Sequence, residues 1–123
     1  MLLKDFYTIS SIEKNDSQKY LATIFINKNH DVFKGHFPGN PIMPGVCMMQ
    51  IIKELTEQIT QNSLLMQSLS NVKFMALINP EATPELRLEL DIIEAEDGLI
   101  KVKNTTFFDQ TVALKLGSVY KKL

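Results

Sequence analysis

Residues 44–61 read PGVCMMQIIKELTEQITQ and are the only stretch of this chain with a convincing helical pattern. Pro44 suits the first helical position, where a missing N–H costs little. The first half of the segment is apolar on nearly every side, so a helix here must be buried on most of its surface. Its second half carries polar residues that we expect to emerge into water, namely Lys53, Glu54, Glu57, Gln58 and Gln61.

Strand patterns lie on both sides of this helix. The predicted strands cover residues 6–13, 19–27, 69–78, 85–94, 99–108 and 111–121. Residues 29–40 have neither a helical nor a strand period and predict a loop. The single helix excludes a doubly wound fold, which needs several helices between strands. We therefore predict one α+β domain, residues 1–123, in which an antiparallel sheet wraps one long helix.

Composition gives broad limits on function. The chain has 123 residues, 45% of them apolar and 22% charged, and a formal net charge of −1. These values predict a soluble domain without general attraction to nucleic acid or to an anionic membrane. We expect no leader peptide and no membrane span, and hence a cytoplasmic location. The single cysteine cannot form an internal disulfide, and no Cys/His cluster has zinc spacing, so no structural metal is expected.

A second stretch directs attention to one histidine. Residues 35–46 read GHFPGNPIMPGV and set three glycines and three prolines around His36. Imidazole exchanges a proton near neutral pH. The N–H groups at a helix start are free to bind an anion, and glycine at position 45 lets the backbone approach a ligand closely. The stretch therefore predicts a base beside an oxyanion-binding helix end.

This stretch resembles the active-site segment of the 3-hydroxyacyl-acyl-carrier-protein dehydratases, whose pattern is close to GHFPGxPxxPGV. The matching positions are Gly35, His36, Phe37, Pro38, Gly39, Pro41, Pro44, Gly45 and Val46. The resemblance implies the hot-dog fold and a homodimer or higher oligomer with active sites at the subunit interface. It also implies an acyl substrate carried as a thioester by acyl-carrier protein or coenzyme A, with no organic cofactor. In that family His36 would be the base, and the N–H of Gly45 would face the thioester oxygen.

The resemblance fails at one position. Family members carry Glu or Asp fourteen residues after the histidine, where this chain has Gln50, and Glu54 stands where a long-chain-tolerant branch has Gln. A carboxamide can hydrogen-bond to the substrate hydroxyl but cannot give it a proton. Three alternatives follow: Glu54 supplies the acid, a carboxylate-bearing paralogue supplies it in a heterodimer, or the chain binds without turnover. Glu54 as an ordinary solvated residue is the competing interpretation.

Several other residues are candidates for contact with substrate. Those predicted to bind the acyl group are Phe33, Phe37, Pro44, Val46 and Met49. Soft side chains of a kind that lines an acyl tunnel, or that fills a core equally well, are Met43, Met48, Met49, Met66 and Met75. Two interpretations, contact with an acidic carrier protein or simple solvation, are open for Lys73, Lys101, Lys103, Lys115, Lys121 and Lys122. We interpret Cys47 as packing and His30 as a loop residue.

The resemblance makes two further predictions. The peptide bond between His36 and Phe37 is expected to be cis, as relatives often have it. The expected function is a 3-hydroxyacyl thioester dehydratase or hydratase in fatty-acid-type biosynthesis. One alternative is a non-catalytic hot-dog subunit that binds acyl chains or stabilises an active paralogue. The other is an acyl thioesterase, which needs a carboxylate to activate water and has only Glu54 at hand.

Overall fold

The structure is a computed structural model that describes residues 4–35 and 41–123. Within these ranges the chain forms six strands and two helices. The strands are β1 Tyr7–Lys14, β2 Lys19–Ile26, β3 Leu64–Phe74, β4 Glu85–Glu94, β5 Ile100–Phe108 and β6 Thr111–Lys122. The helices are α1 Val32–Gly35 and α2 Gly45–Thr60.

The six strands form one sheet in the order β1-β2-β4-β5-β6-β3, and every neighbouring pair is antiparallel. Helix α2 contributes five apolar side chains to the hydrophobic core: Cys47, Met48, Ile51, Ile52 and Leu55. They share that core with the inward-facing residues of the strands. One long helix against an antiparallel sheet confirms the predicted α+β class and is the hot-dog architecture.

Strand β4 shows how the sequence sets the buried face of the sheet. Leu86, Leu88 and Leu90 are buried, whereas the charged residues between them face outward. This two-residue alternation is the pattern expected for a strand with one face on the core. The predicted bounds, 85–94, are confirmed, and those of β5 and β6 agree to within one residue.

The prediction for β3 was displaced along the chain. Residues 69–78 were expected, but the strand runs from Leu64 to Phe74. It is an edge strand that pairs only with β6, and Leu64 is its only buried residue, so it has no alternating apolar face. Two register shifts and Asn71, whose φ is 53°, interrupt it further. The next residues leave the ladder, although the Met75 N–H still donates to the Ala113 oxygen at 2.8 Å.

The region before α2 also differs from the prediction. Part of the expected loop forms the short helix α1, in which Phe33 is buried and stacks on Phe6 with ring centroids 5.5 Å apart. Pro44 is the N-cap of α2 rather than its first helical residue, with an extended backbone at ψ 139°. The helix ends at Thr60, and Gln61 then turns to a left-handed φ of 58°.

Candidate functional site

His36 and Phe37 lie outside the described residues, and so does the peptide bond between them. Of the remaining candidates, Pro44, Gly45 and Val46 lie at the start of α2. Gln50 lies about one turn further along the helix, and Glu54 about two turns further.

The start of α2 offers free hydrogen-bond donors. The N–H groups of Cys47 and Met48 donate to the Pro44 oxygen at 3.1 and 3.3 Å. No partner is recorded among the described residues for the N–H groups of Gly45 and Val46, as is usual in the first turn of a helix. The helix start is therefore able to bind a negatively charged oxygen.

Gly45 has a close neighbour that sequence reasoning missed, the ring of Phe74. A Cβ atom at position 45 would lie 2.6 Å from Cζ of Phe74, closer than side chains approach one another. Phe74 comes from the end of β3 and is 58% exposed, so its ring covers the glycine from the solvent side. Nothing in the spacing of the sequence indicated this pairing of the helix start with the edge strand.

An apolar cavity of about 440 Å³ adjoins Gly45, a volume in the range of small-molecule sites. It is lined by Met43, Gly45, Met48, Phe74, Met75, Ala76, Leu77, Ile78, Ala113 and Leu114. Three of the five methionines predicted to line a tunnel are therefore in its wall, whereas Met49 and Met66 pack against the core. The cavity can accept a flexible hydrocarbon chain whose polar end lies at the start of α2.

Gln50 and Glu54 form a hydrogen-bonded pair. Nε2 of Gln50 donates to Oε2 of Glu54 at 2.9 Å, and the hydroxyl of Tyr7 donates to Oε1 of Glu54 at 2.8 Å. Glu54 is only 8% exposed, so the expectation that it emerges into water was wrong. A buried carboxylate needs compensating hydrogen bonds, and these two donors provide them.

Tyr7 is the second residue that sequence reasoning missed. It lies at the start of β1, 47 positions from Glu54, and is 9% exposed. Burial, together with the hydrogen bond to the Glu54 carboxylate, holds the pKa of Tyr7 well above its ordinary value. The Tyr7 hydroxyl therefore keeps its proton and acts as a donor to Glu54 at all ordinary pH values.

The predicted acyl-binding residues are not all in one place. Val46 is 73% exposed on the outer side of the first helical turn, whereas Met49 is partly buried against the core. Phe33 is in the core beside Phe6, where it has an ordinary packing role. Pro44 adjoins the cavity through its neighbours Met43 and Gly45.

The surroundings of Cys47 are those of a core packing residue rather than of a nucleophile. It is buried in the first turn of α2, and burial raises the pKa of its thiol despite the favourable helix dipole. We expect the native protein to react with a disulfide reagent at pH 8 at least about tenfold more slowly than the protein unfolded in guanidinium. Equal rates in a stopped-flow thiol assay would contradict this placement.

His30 has a structural role. Its Nδ1 accepts from the Val32 N–H at 3.1 Å, which leaves Nε2 as the donor to the Lys4 oxygen at 3.0 Å. The ring also meets Phe6 edge-on, with centroids 5.0 Å apart. His30 therefore ties the loop before α1 to the chain start.

Residues 4–35 and 41–123 contain no group of three or more His, Cys, Asp or Glu side chains with metal-binding geometry. None of the helices in these ranges combines the length and the hydropathy needed to cross a bilayer.

Comparison with known proteins gives consistent matches. The family model described as ApeI-like, ApeI dehydratase, matches residues 12–112. The 3-hydroxyacyl-[acyl-carrier-protein] dehydratase FabZ of Koribacter versatilis is 32% identical over 110 residues, which cover 83% of this chain and 69% of that protein. The FabZ protein of Lactobacillus helveticus is 27% identical over 108 residues, covering 82% and 72%.

A solved structure shows the same fold. The dehydratase heterocomplex ApeI:P from Xenorhabdus doucetiae contains a chain that superposes with a TM-score of 0.75 at 20% identity. The superposition covers 94% of this chain and 97% of that chain. The two chains therefore share the whole hot-dog domain rather than a local motif.

Proposed function

Because the chain belongs to the ApeI-like dehydratase family, we propose that it is a 3-hydroxyacyl thioester dehydratase or hydratase of fatty-acid-type biosynthesis. The observation that supports this most directly is the position of Gly45. It joins a helix start with free N–H groups to an apolar cavity of about 440 Å³. An acyl thioester has the two matching parts, a carbonyl oxygen that gains charge and a hydrocarbon chain.

The proposed reaction is an elimination. His36 removes a proton from carbon 2 of the substrate, and its electron pair forms the carbon–carbon double bond as the bond between carbon 3 and the hydroxyl oxygen breaks. The hydroxyl leaves as water after receiving a proton. The N–H of Gly45 stabilises the charge that develops on the thioester oxygen. Gln50 orients the hydroxyl.

The leaving hydroxyl needs a proton from an acid. Both oxygens of Glu54 are already engaged, one with the Tyr7 hydroxyl and one with Nε2 of Gln50, so Glu54 is poorly placed to supply that proton. This favours the proposal that a carboxylate-bearing paralogue brings the acid as a second subunit. The dehydratase heterocomplex ApeI:P is a precedent for two different chains in one assembly.

The assay follows the reaction in its easier direction. Hydration of a trans-2-enoyl thioester removes the conjugated double bond, and its ultraviolet absorbance falls. We would assay the purified chain alone and with whatever partner co-purifies with it. Turnover by either preparation supports the proposal, and turnover only with the partner supports a shared site. If both fail while acyl-pantetheine still binds, the chain is a binding subunit.

Thioester hydrolysis is less well supported. It needs a carboxylate that can activate a water molecule, and Glu54 is buried with both oxygens engaged. Release of free thiol from acyl-coenzyme A, measured in the same samples, tests this alternative directly.

The proposed second subunit has a suitable surface on β3. This edge strand and the residues after it expose large apolar side chains on the free side of the sheet: Leu65, Leu69, Val72, Phe74, Met75 and Leu77. Such an edge is an aggregation hazard unless another chain covers it. We therefore place the subunit interface on β3.

We expect sedimentation to give at least twice the chain mass of 14.0 kDa. The pair Leu69→Lys and Val72→Lys should dissociate the assembly, because each lysine places a charge on the apolar edge. Phe25→Lys is the matched control, since Phe25 is an exposed apolar residue of β2, at the other end of the sheet. An assembly unchanged by the pair of lysines would exclude β3 as the interface.

The carrier of the acyl group is proposed to be an acidic protein. Four of the six candidate lysines, Lys73, Lys101, Lys103 and Lys115, line one groove of about 460 Å³ on the solvent face of the sheet. No carboxylate of the described residues forms an ion pair with them, whereas Lys122 is paired with Glu94. The pair Lys73–Lys115 is next to the cavity-lining pair Phe74–Leu114 in the register of β3 and β6, so the groove and the cavity lie at the same level of these strands but on opposite faces of the sheet.

Reversing the charge of two lysines in this groove tests whether the carrier is an acidic protein. Lys103→Glu with Lys115→Glu should raise KM for a substrate on acyl-carrier protein about tenfold at low salt, with a smaller effect at high salt. KM for the same acyl group on pantetheine should not change. Lys14→Glu, a reversal on the opposite edge strand β1, should alter neither value. An equal rise in both KM values would show that these lysines do not contact the carrier.

A further inference from the structure

The buried chain of hydrogen bonds from Tyr7 through Glu54 to Gln50 fixes the direction in which the Gln50 amide faces. Each oxygen of Glu54 has one donor, at 2.8 Å from Tyr7 and at 2.9 Å from Gln50. The Tyr7 hydroxyl occupies Oε1 and thereby fixes the Glu54 side chain with Oε2 towards Gln50. Glu54 in turn requires a donor from Gln50.

This requirement selects one of the two orientations of the amide. With its NH₂ group on Glu54, Gln50 turns its carbonyl oxygen away from the carboxylate. The reversed amide would set oxygen against oxygen at hydrogen-bond distance, which is repulsive. Among the described residues no donor is recorded for that carbonyl oxygen. It therefore remains available to a ligand.

Gln50 lies between an exposed and a buried part of one side of α2. Positions 46, 50 and 54 are successive turns of α2, and their exposure falls from the outward Val46, through the half-buried Gln50, to the buried Glu54. Gln50 thus lies at the boundary between the buried pair and the surface at the start of α2. Its carbonyl oxygen is the polar atom that a molecule bound at that surface would meet.

We propose that Tyr7 is a positioning residue that acts through Glu54, so that Gln50 offers its carbonyl oxygen as a hydrogen-bond acceptor to the substrate. This rests on the proposed function. A hydroxyl at carbon 3 can donate to that oxygen, whereas a ketone or a methylene at carbon 3 cannot. The chain therefore selects 3-hydroxyacyl groups over 3-oxoacyl and saturated acyl groups.

The test uses three ligands that cannot react. They are pantetheine amides, in which nitrogen replaces the thioester sulfur, bearing a 3-hydroxyacyl, a 3-oxoacyl or a saturated acyl chain of equal length. Isothermal titration calorimetry gives their dissociation constants. The wild-type protein should bind the 3-hydroxyacyl amide roughly threefold to tenfold more tightly than the other two, the range expected for one hydrogen bond.

Tyr7→Phe should abolish this preference and leave the affinity for the saturated amide unchanged. Glu54→Gln is a second variant with the same expectation, since an amide at that position no longer requires a donor from Gln50. Tyr120→Phe is the matched control, because Tyr120 is a buried tyrosine that takes no part in the hydrogen bonds of Glu54. It should retain the full preference.

The outcomes separate this proposal from the function on which it rests. If Tyr7→Phe and Glu54→Gln keep the wild-type preference, the positioning role is overturned. It is also overturned if the wild-type protein binds all three amides equally yet converts the 3-hydroxyacyl thioester, and in that case the proposed function stands. If the wild-type protein binds none of the amides and turns over no thioester, the proposed function itself has failed.

Discussion

His36→Ala is expected to lower kcat/KM for enoyl thioester hydration by about 10²–10⁴-fold, the usual contribution of a general base or acid. In the proposed elimination no other residue removes the proton from carbon 2. The loss should appear mainly in kcat, because the cavity and the helix start that bind the substrate are unchanged. The absorbance assay measures it directly.

The other of the chain's two histidines, His30, provides a matched control. His30→Ala removes two hydrogen bonds, to Val32 and Lys4, and the ring contact with Phe6. It should lower the free energy of unfolding by about 1–3 kcal/mol and leave kcat/KM within about threefold of wild type. Equal losses of activity in both variants would indicate a shared effect on folding, and the role of His36 as base would be contradicted.

The sequence predicted those parts of the fold in which one local pattern determines the structure. β4 alternates leucine with charged residues, and α2 begins after a proline with an apolar surface, so both were placed to within one residue. β3 was misplaced because an edge strand with one buried residue has no such pattern.

The candidate site was predictable only where its residues are adjacent in sequence. The stretch ending in Pro44 and Gly45 indicated the helix start from the sequence alone. Tyr7 and Phe74 join the site from distant strands, and a hydrophobic or aromatic residue at a strand end gives no sign of its partner. Glu54 was taken as solvated because its neighbours are polar, but burial of a carboxylate depends on a donor 47 residues away.

The second large effect on turnover is expected from Gln50 and Glu54, where this chain has an amide and an acid in the reverse order to the long-chain-tolerant dehydratases. The double variant Gln50→Glu with Glu54→Gln is expected to raise kcat/KM for hydration about 10²-fold over the wild-type chain assayed alone. It places a carboxyl group where the 3-hydroxyacyl-acyl-carrier-protein dehydratases have theirs, and general acid catalysis contributes about 10²–10⁴-fold. The total charge and the volume of the pair are unchanged, and the Tyr7 hydroxyl can still donate to the oxygen of an amide at position 54.

The single variant Gln50→Glu is the control that isolates the contact between the two side chains. It sets two carboxyl groups where the amide nitrogen and the carboxylate oxygen are now 2.9 Å apart. Like charges at that distance raise the pKa of the pair, so one proton is shared at low pH and the repulsion grows as the pH rises. We expect it to lose about 1–3 kcal/mol of stability at pH 8 and less at pH 5, whereas the double variant should show no such pH dependence. A double variant that folds like the wild type without any gain in turnover would show that position 50 is not where the acid is missing, and would favour a carboxylate from a partner subunit.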